Sequence, residues 1–483
     1  MSPLDPDTWR WLCAALIIAL HSTLSLYMYR RNQLGNGRAS ARLSPGEAGG
    51  SAPLQHAAKF YVIYASQSGQ AEAIARDTAQ HLSAHGQPAR LLRLEQDWLS
   101  LLQPDSRLLF VVSTCGEGDA PDHASRFVRH QLRQAAPALR GIAYSMLALG
   151  DRNYAQFCGF GRQLDAWLQA SGAQAGFARL EADQLDAATL QTWYAQLAQP
   201  SDTPRADSAR APITRTSSMA YGRWQLLSRQ CLNDGSAGQP MYLIRLAAEA
   251  GSPCSWQAGD LVDIQLAGAD ARPRSYSIAN LPPGDGSPAV LELIVRRQLR
   301  SDGTPGLVSG WLCEQAATGS MLSLRIRANP NFQLPAAART PLILIGAGAG
   351  LAGLRAHLQA RARSLQHSGE RAPTYSAWLI FGERSRAHDR LCHSEIEDWL
   401  GSGVLSRMDW AFSRDDASAP YVQHQLRRHA ALLQTWLDQG ACILMCGSAH
   451  SMARALDKTL RELLGEAAVD TLTASGRLRR DVF

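Results

Sequence analysis

A chain of 483 residues is too long for one ordinary domain and suits two or three, each large enough to bury its own core. Hydrophobic residues at 46% and charged residues at 19% exclude wholesale disorder, and a net charge of +6 without a dense Lys/Arg stripe excludes a nucleic-acid footprint. Nine cysteines, no two of them three apart, exclude a zinc ribbon or an iron–sulfur site and suit reduced thiols in the cytoplasm.

Trp11 to Tyr29 form an almost uncharged stretch of about the length that spans a bilayer, although His21, Ser22, Thr23 and Ser25 weaken it. Trp9, Trp11, Tyr27 and Tyr29 suit the two interfaces, and Arg30, Arg31, Arg38 and Arg42 follow on one side only. A buried helix or a cleaved signal peptide would be the alternatives. The expectation is a transmembrane anchor at 9–30, a tether rich in Gly, Ser, Ala and Pro at 31–58, and the rest of the chain in the cytoplasm, on the inner membrane.

From Lys59, buried-strand candidates alternate with amphipathic segments: Phe60 to Ala65, Leu108 to Ser113 and Tyr144 to Leu149. That rhythm predicts a doubly wound parallel sheet over 59–198. The first strand runs into Ser66-Gln67-Ser68-Gly69-Gln70-Ala71 and then a helix, where hydroxyls and backbone N–H groups suit a phosphate; an ordinary polar turn would look the same. Two further loops leave the same sheet edge, Ser113-Thr114-Cys115-Gly116-Glu117-Gly118 and Leu149-Gly150-Asp151-Arg152-Asn153-Tyr154-Ala155-Gln156-Phe157-Cys158. Ligands of open α/β sheets bind at that edge, and Tyr154 can stack on a flat ring. These loops resemble the flavodoxin-like FMN domain of the diflavin reductases, closest to the sulfite reductase flavoprotein subunit and akin to NADPH-haemoprotein reductase. Cys115 stands where many members carry a second stacking aromatic.

Residues 199–218 are dominated by Ser, Asp, Thr, Pro and Arg and read as a linker. Short strands with Gly/Pro turns over 219–337 predict an antiparallel β-barrel, and the βα rhythm of 338–483 a second α/β domain. In Arg274-Ser275-Tyr276-Ser277 alternate residues share a face. With Gly306-Leu307-Val308-Ser309 this stretch resembles the FAD-binding segments of the same family, the barrel and the α/β domain after it being ferredoxin-NADP reductase-like. The resemblance implies Arg274 and the Gly306 loop at the pyrophosphate, Tyr276 on the isoalloxazine and Ser277 near its reactive nitrogen.

Strand Leu342 to Ile345 leads into Gly346-Ala347-Gly348-Ala349-Gly350 and a helix with Arg355, a dinucleotide turn in which the family usually has Pro, Thr and Pro at Ala347, Ala349 and Gly353. Ser413-Arg414 and then Tyr421 and Gln423 match the segments that grip a 2'-phosphate in the family, which has a Lys where this chain has Ala419-Pro420. Cys446, Asp481 and Ser277 correspond to the group around the hydride path, and Phe483 to the terminal aromatic covering the flavin; a buried inert Cys446 is the plain alternative. Only a short stretch separates Asp260 from Arg274, so the connecting domain of fuller members has no room.

The resemblance implies an NADPH-dependent oxidoreductase that passes hydride to FAD and then single electrons through FMN to a haemoprotein or an iron–sulfur/sirohaem protein. A membrane-tethered reductase of ferric chelates, quinones or flavin, and a non-catalytic electron-relay module, are the competing readings.

Overall fold

The computed structural model describes residues 59–483 except 95–97, 117, 133–138, 153–154, 198–220, 250–253, 267–272, 285–286, 301, 335–339 and 369–372. The expected anchor, tether and linker, with Glu117, Asn153 and Tyr154, lie outside the described residues. Among the described residues no helix is long and apolar enough to cross a membrane.

Strands β1 (Phe60–Ala65), β2 (Ala89–Arg93), β3 (Arg107–Ser113), β4 (Ala143–Gly150), β5 (Gln174–Ala175) and β6 (Leu180–Asp183) form a parallel sheet. Its order is β2-β1-β3-β4-β5, and β6 also pairs with β4. Side-chain alternation fills both faces. Tyr61, Ile63 and Ala65 join one core with Phe160, Leu164 and Leu168 of helix α1 (Gly159–Ala170), while Val62, Leu109 and Val111 join another on the opposite face. The order reverses between β1 and β3, which opens a crevice at their carboxyl ends.

Six antiparallel strands come next: β7 (Gly222–Cys231), β8 (Met241–Ala248), β9 (Leu261–Gln265), β10 (Arg274–Ser277), β11 (Val290–Arg296) and β12 (Met321–Arg327). Their order is β10-β9-β12-β7-β8-β11, and a bridge between Ile278 and Leu293 brings the two ends together, closing the sheet around Trp224, Val262, Leu293 and Leu324. β9 pairs directly with β10. The last sheet, parallel in the order β15-β14-β13-β16-β17, comprises β13 (Leu342–Ala347), β14 (Ala377–Glu383), β15 (Arg407–Phe412), β16 (Cys442–Gly447) and β17 (Leu478–Val482). Its order reverses between β13 and β16, so the Gly-rich turn and the Cys446-Gly447 step flank one crevice.

Candidate functional site: two flavin crevices and a nucleotide cleft

At the first crevice the loop after β1 enters a helix, Gln70–Ala84, through Gly69, whose φ is +81°. The first N–H groups of such a helix have no acceptor within it, so they face the crevice as anion donors. Ser66 and Thr114 each carry a buried hydroxyl with no hydrogen-bond partner, and both belong to loops at this edge. A phosphate monoester would satisfy them, so the donor set fits FMN. The Ser113 hydroxyl donates to the Ala65 carbonyl (3.1 Å), and the Thr114 N–H donates to the Leu149 carbonyl (2.9 Å). These two bonds tie the three loops together. Gly118 has φ +98°, and a Cβ there would stand 2.8 Å from the Gln156 Cβ, so the second and third loops meet through it. Phe157 and Cys158 are buried behind Gly150.

Two residues of this set turn elsewhere. The Gln67 amide donates to Asp122 (2.9 Å) and to the Arg480 carbonyl (3.2 Å), and its oxygen accepts from the Asp122 N–H (2.9 Å). Its side chain therefore joins the flavodoxin half to the nucleotide half and is not free for a phosphate. Cys115 is clamped in a turn by paired backbone bonds with Asp119, and burial together with the charges of Asp122 and Asp119 pushes its thiol far above the ordinary range.

The barrel grips the back of the phosphate loop. Asn331 donates to the carbonyls of Ser66 (2.8 Å) and Gln67 (2.6 Å), and Arg327 to that of Ser68 (2.6 Å). Arg480 pairs with Asp122 (2.8 Å) and Asp457 (2.6 Å), Arg454 pairs with Asp119 (2.7 Å), and Arg129 pairs with Asp470. A cleft lined by Cys115, Gly116, Ala120, Arg454 and Arg480 opens along this contact. Sequence reasoning missed Asn331, Arg327 and Arg480, because loop polarity alone does not tell a docking residue from a solvated one.

On β10, Tyr276 packs against the barrel core, and burial raises its phenol. Arg274 reaches Gln184 of the flavodoxin half (3.2 Å). Ser275 is tied by its hydroxyl to Asp263 (2.6 Å), which leaves it a support beneath the strand. In the Gly306 loop, Val308 and Ser309 point inward and Leu307 outward, and the Ser309 hydroxyl accepts from the Gln298 N–H (3.2 Å).

The hydride-path candidates meet. Ser277 donates to Asp481 Oδ2 (2.6 Å), and the Cys446 Sγ lies 3.7 Å from the same oxygen. All three are buried. Burial raises the Asp481 carboxyl, and burial plus the Asp481 charge raises the Cys446 thiol, so Cys446 stays protonated at neutral pH and acts as a donor rather than a nucleophile. Phe483 comes two residues later, half exposed, with its N–H on the Gly447 carbonyl (3.1 Å).

In the nucleotide cleft, a Cβ on Gly350 would stand 2.1 Å from the Cys446 carbonyl, so the Gly-rich turn presses against the Cys446 step through a position no side chain can fill. Gly346 and Gly348 lie on the same turn. Arg355 corrects the sequence reading. It is buried, and its guanidinium is committed to Glu292 (2.6 Å), Glu395 (2.5 Å) and the Ala279 carbonyl (2.8 Å), riveting the barrel to the last domain rather than facing a nucleotide. Ser413 and exposed Arg414 follow directly on β15, and their N–H groups donate to the carbonyls of Glu383, the last residue of β14, and of Arg384 just beyond it. Tyr421, 54% exposed, opens the next helix with Gln423 half-buried behind it.

A flavodoxin sheet with orphaned phosphate donors, docked on a barrel and a dinucleotide sheet whose shared seam holds Ser277, Cys446 and Asp481, defines a flavoprotein reductase. Residues 62–195 match the flavodoxin family model and residues 344–458 that of the oxidoreductase NAD-binding domain. The chain is similar to the sulfite reductase [NADPH] flavoprotein alpha-component of Vibrio cholerae, 27% identical over 88% of each chain. It is also similar to that of Photobacterium profundum, 25% identical over 93% of each, and to that of Bacillus subtilis, 25% identical over 87% of this chain and 89% of the relative. The chain is a diflavin reductase: it carries FMN and FAD and draws electrons from a nicotinamide nucleotide, NADPH being the one named for these relatives.

Proposed function

We propose that the chain takes hydride from NADPH onto FAD and delivers single electrons through FMN to a haemoprotein of the sulfite reductase kind, from the cytoplasmic face of a membrane. The observation that carries this reading is the meeting of Ser277, Cys446 and Asp481 at the seam between barrel and nucleotide sheet, one residue from Arg480, which clamps the FMN loops. The flavins convert a two-electron donor into a one-electron supply. Asp481 orients the Ser277 hydroxyl and the Cys446 thiol by accepting from both, and its carboxylate places negative charge where a nicotinamide becomes cationic as hydride leaves. Ser413 and exposed Arg414, just beyond β15, offer a hydroxyl and a guanidinium to a 2'-phosphate. Tethering rests on the uncharged stretch Trp11 to Tyr29 with arginines on one side.

Anaerobic mixing of the purified full-length protein with NADPH tests the reading. Two flavins per chain should bleach, and a sirohaem-type haemoprotein should then be reduced in one-electron steps. Rapid reduction of ferric chelates or quinones with none of the haemoprotein would replace this acceptor by a small molecule. Recovery of the full chain in the soluble fraction after lysis would remove the tether.

A further inference from the structure

Glu383 is the last residue of β14. Its strand lies between β13, which leads into the Gly-rich turn, and β15, which leads into Ser413-Arg414, and the Ser413 N–H rests on its carbonyl (2.9 Å). The side chain is 8% exposed, and its Oε1 is buried with no hydrogen-bond partner. Buried polar atoms are seldom left unpaired in a fold, and those that are point to a bound group.

The charged groups that face it come from three places. Arg296 arrives from the end of β11, Arg384 is the next residue, and Asp389 stands in the loop beyond, held by Asn233 (3.2 Å) and the Ser385 N–H (3.1 Å). Its register partner Phe412 carries no charge, nor does Ala347, which pairs with the preceding Gly382. Arg296 lies over the Gly-rich turn: a Cβ on Gly348 would meet its Nη2 at 2.1 Å. Arg296 makes no ion pair within 4 Å among the described residues, so its guanidinium is available to a phosphate of a nucleotide on that turn. Burial above all, opposed by Arg296 and by the N–H and charge of Arg384 and reinforced by Asp389, pushes the Glu383 carboxyl up to about 7.

A nucleotide that spans the Gly-rich turn and the end of β15 brings phosphate charge past this carboxyl on both sides. It draws on Arg296, the cation that favours the carboxylate, and repels the carboxylate itself. Both effects favour the neutral acid, whose O–H can donate to a phosphate or ribose oxygen.

Resting on the NADPH reading above, we propose that Glu383 is a specificity-determining residue of the nucleotide cleft, which takes up a proton when a phosphorylated nucleotide binds and opposes the 2'-phosphate when ionised. The test is calorimetric titration of the flavin-loaded protein with 2',5'-ADP and with 5'-ADP between pH 6 and 8.5, in two buffers of different ionisation enthalpy. The same titrations of Glu383→Gln cancel the ionisation of the ligand's own phosphates. The parent should take up protons on binding 2',5'-ADP, up to one per site, and the ratio of its Kd to that of Glu383→Gln should rise about tenfold or more across the range, less for 5'-ADP. Glu383→Ala, which leaves no amide to find new partners, should follow the Gln variant. A Kd ratio flat with pH, or uptake unchanged in both variants, overturns the role of Glu383. Failure of 2',5'-ADP to bind any of the three proteins at any pH overturns the NADPH reading itself.

Discussion

In the barrel and nucleotide sheet, the polar side chains beside the hydride path satisfy one another: Ser277 and Cys446 on Asp481, and Arg355 on Glu292 and Glu395. In the flavodoxin half, Ser66 and Thr114 present hydroxyls with no partner. The difference comes from what each half must do. Hydride transfer needs donor and acceptor atoms held at near-attack distance, so the groups that set that geometry are locked by buried bonds. A phosphate needs only donors left open around it, and the rigidity there comes from behind, through Asn331 and Arg327 on the loop carbonyls.

The strongest way to break this contrast is to remove a lock. Arg355→Ala removes the buried cation shared by Glu292, which keeps Arg245 (2.7 Å), and the partly exposed Glu395, and should cost about 3 kcal/mol of stability, the low end for a broken buried ion pair. The denaturant midpoint of the barrel and nucleotide unit reads it, and an unchanged midpoint would show that the rivet is ornamental. Next in size, Asp481→Ala should slow flavin bleaching by NADPH about 100-fold, roughly 2.7 kcal/mol, in stopped-flow. Because burial raises the Asp481 carboxyl, the parent's bleaching rate should begin to fall at a higher pH than an ordinary aspartate would give, as the group is protonated. Asp481→Asn should show no such decline.

In the open half the outcome should reverse. Ser66→Ala removes a hydroxyl that pairs with nothing in the fold, so the stability of the flavin-free protein should stay within about 0.5 kcal/mol. FMN affinity should drop about tenfold, as expected for a hydrogen bond to a charged group worth about 1.5 kcal/mol. Equal losses of stability and affinity would erase the distinction between the halves. The smallest effect belongs to Phe483, half exposed beyond the seam. If its ring covers the FAD, stacking is worth roughly 0.5–1.5 kcal/mol, and Phe483→Ala should raise kcat/KM for NADH more than for NADPH. Steady-state kinetics equal to the parent's with both nucleotides would make the terminal ring a bystander.

Short-range pattern carries a good part of this protein. The apolar runs Phe60 to Ala65 and Leu342 to Ile345 write buried parallel strands, because a strand covered on both faces must be apolar at every position. The glycine turns write loops at strand ends, since only residues without a side chain admit so close an approach of backbone to backbone. The order of the loops, phosphate turn, flavin strand, dinucleotide turn and C-terminal aspartate, is a one-dimensional property and is legible as one.

What each side chain then does was decided by folding. Ser277 and Asp481 are 204 residues apart, and their bond depends on two domains meeting at one angle. The same docking turns Arg355 away from the cleft, carries the Gln67 amide to Asp122 and Arg480, and sets Arg296 over Gly348 beside Glu383. No periodicity encodes such contacts. A polar residue at a strand end has the same local signature whether it faces water, a ligand or a neighbouring domain, and only burial against a distant segment selects among the three.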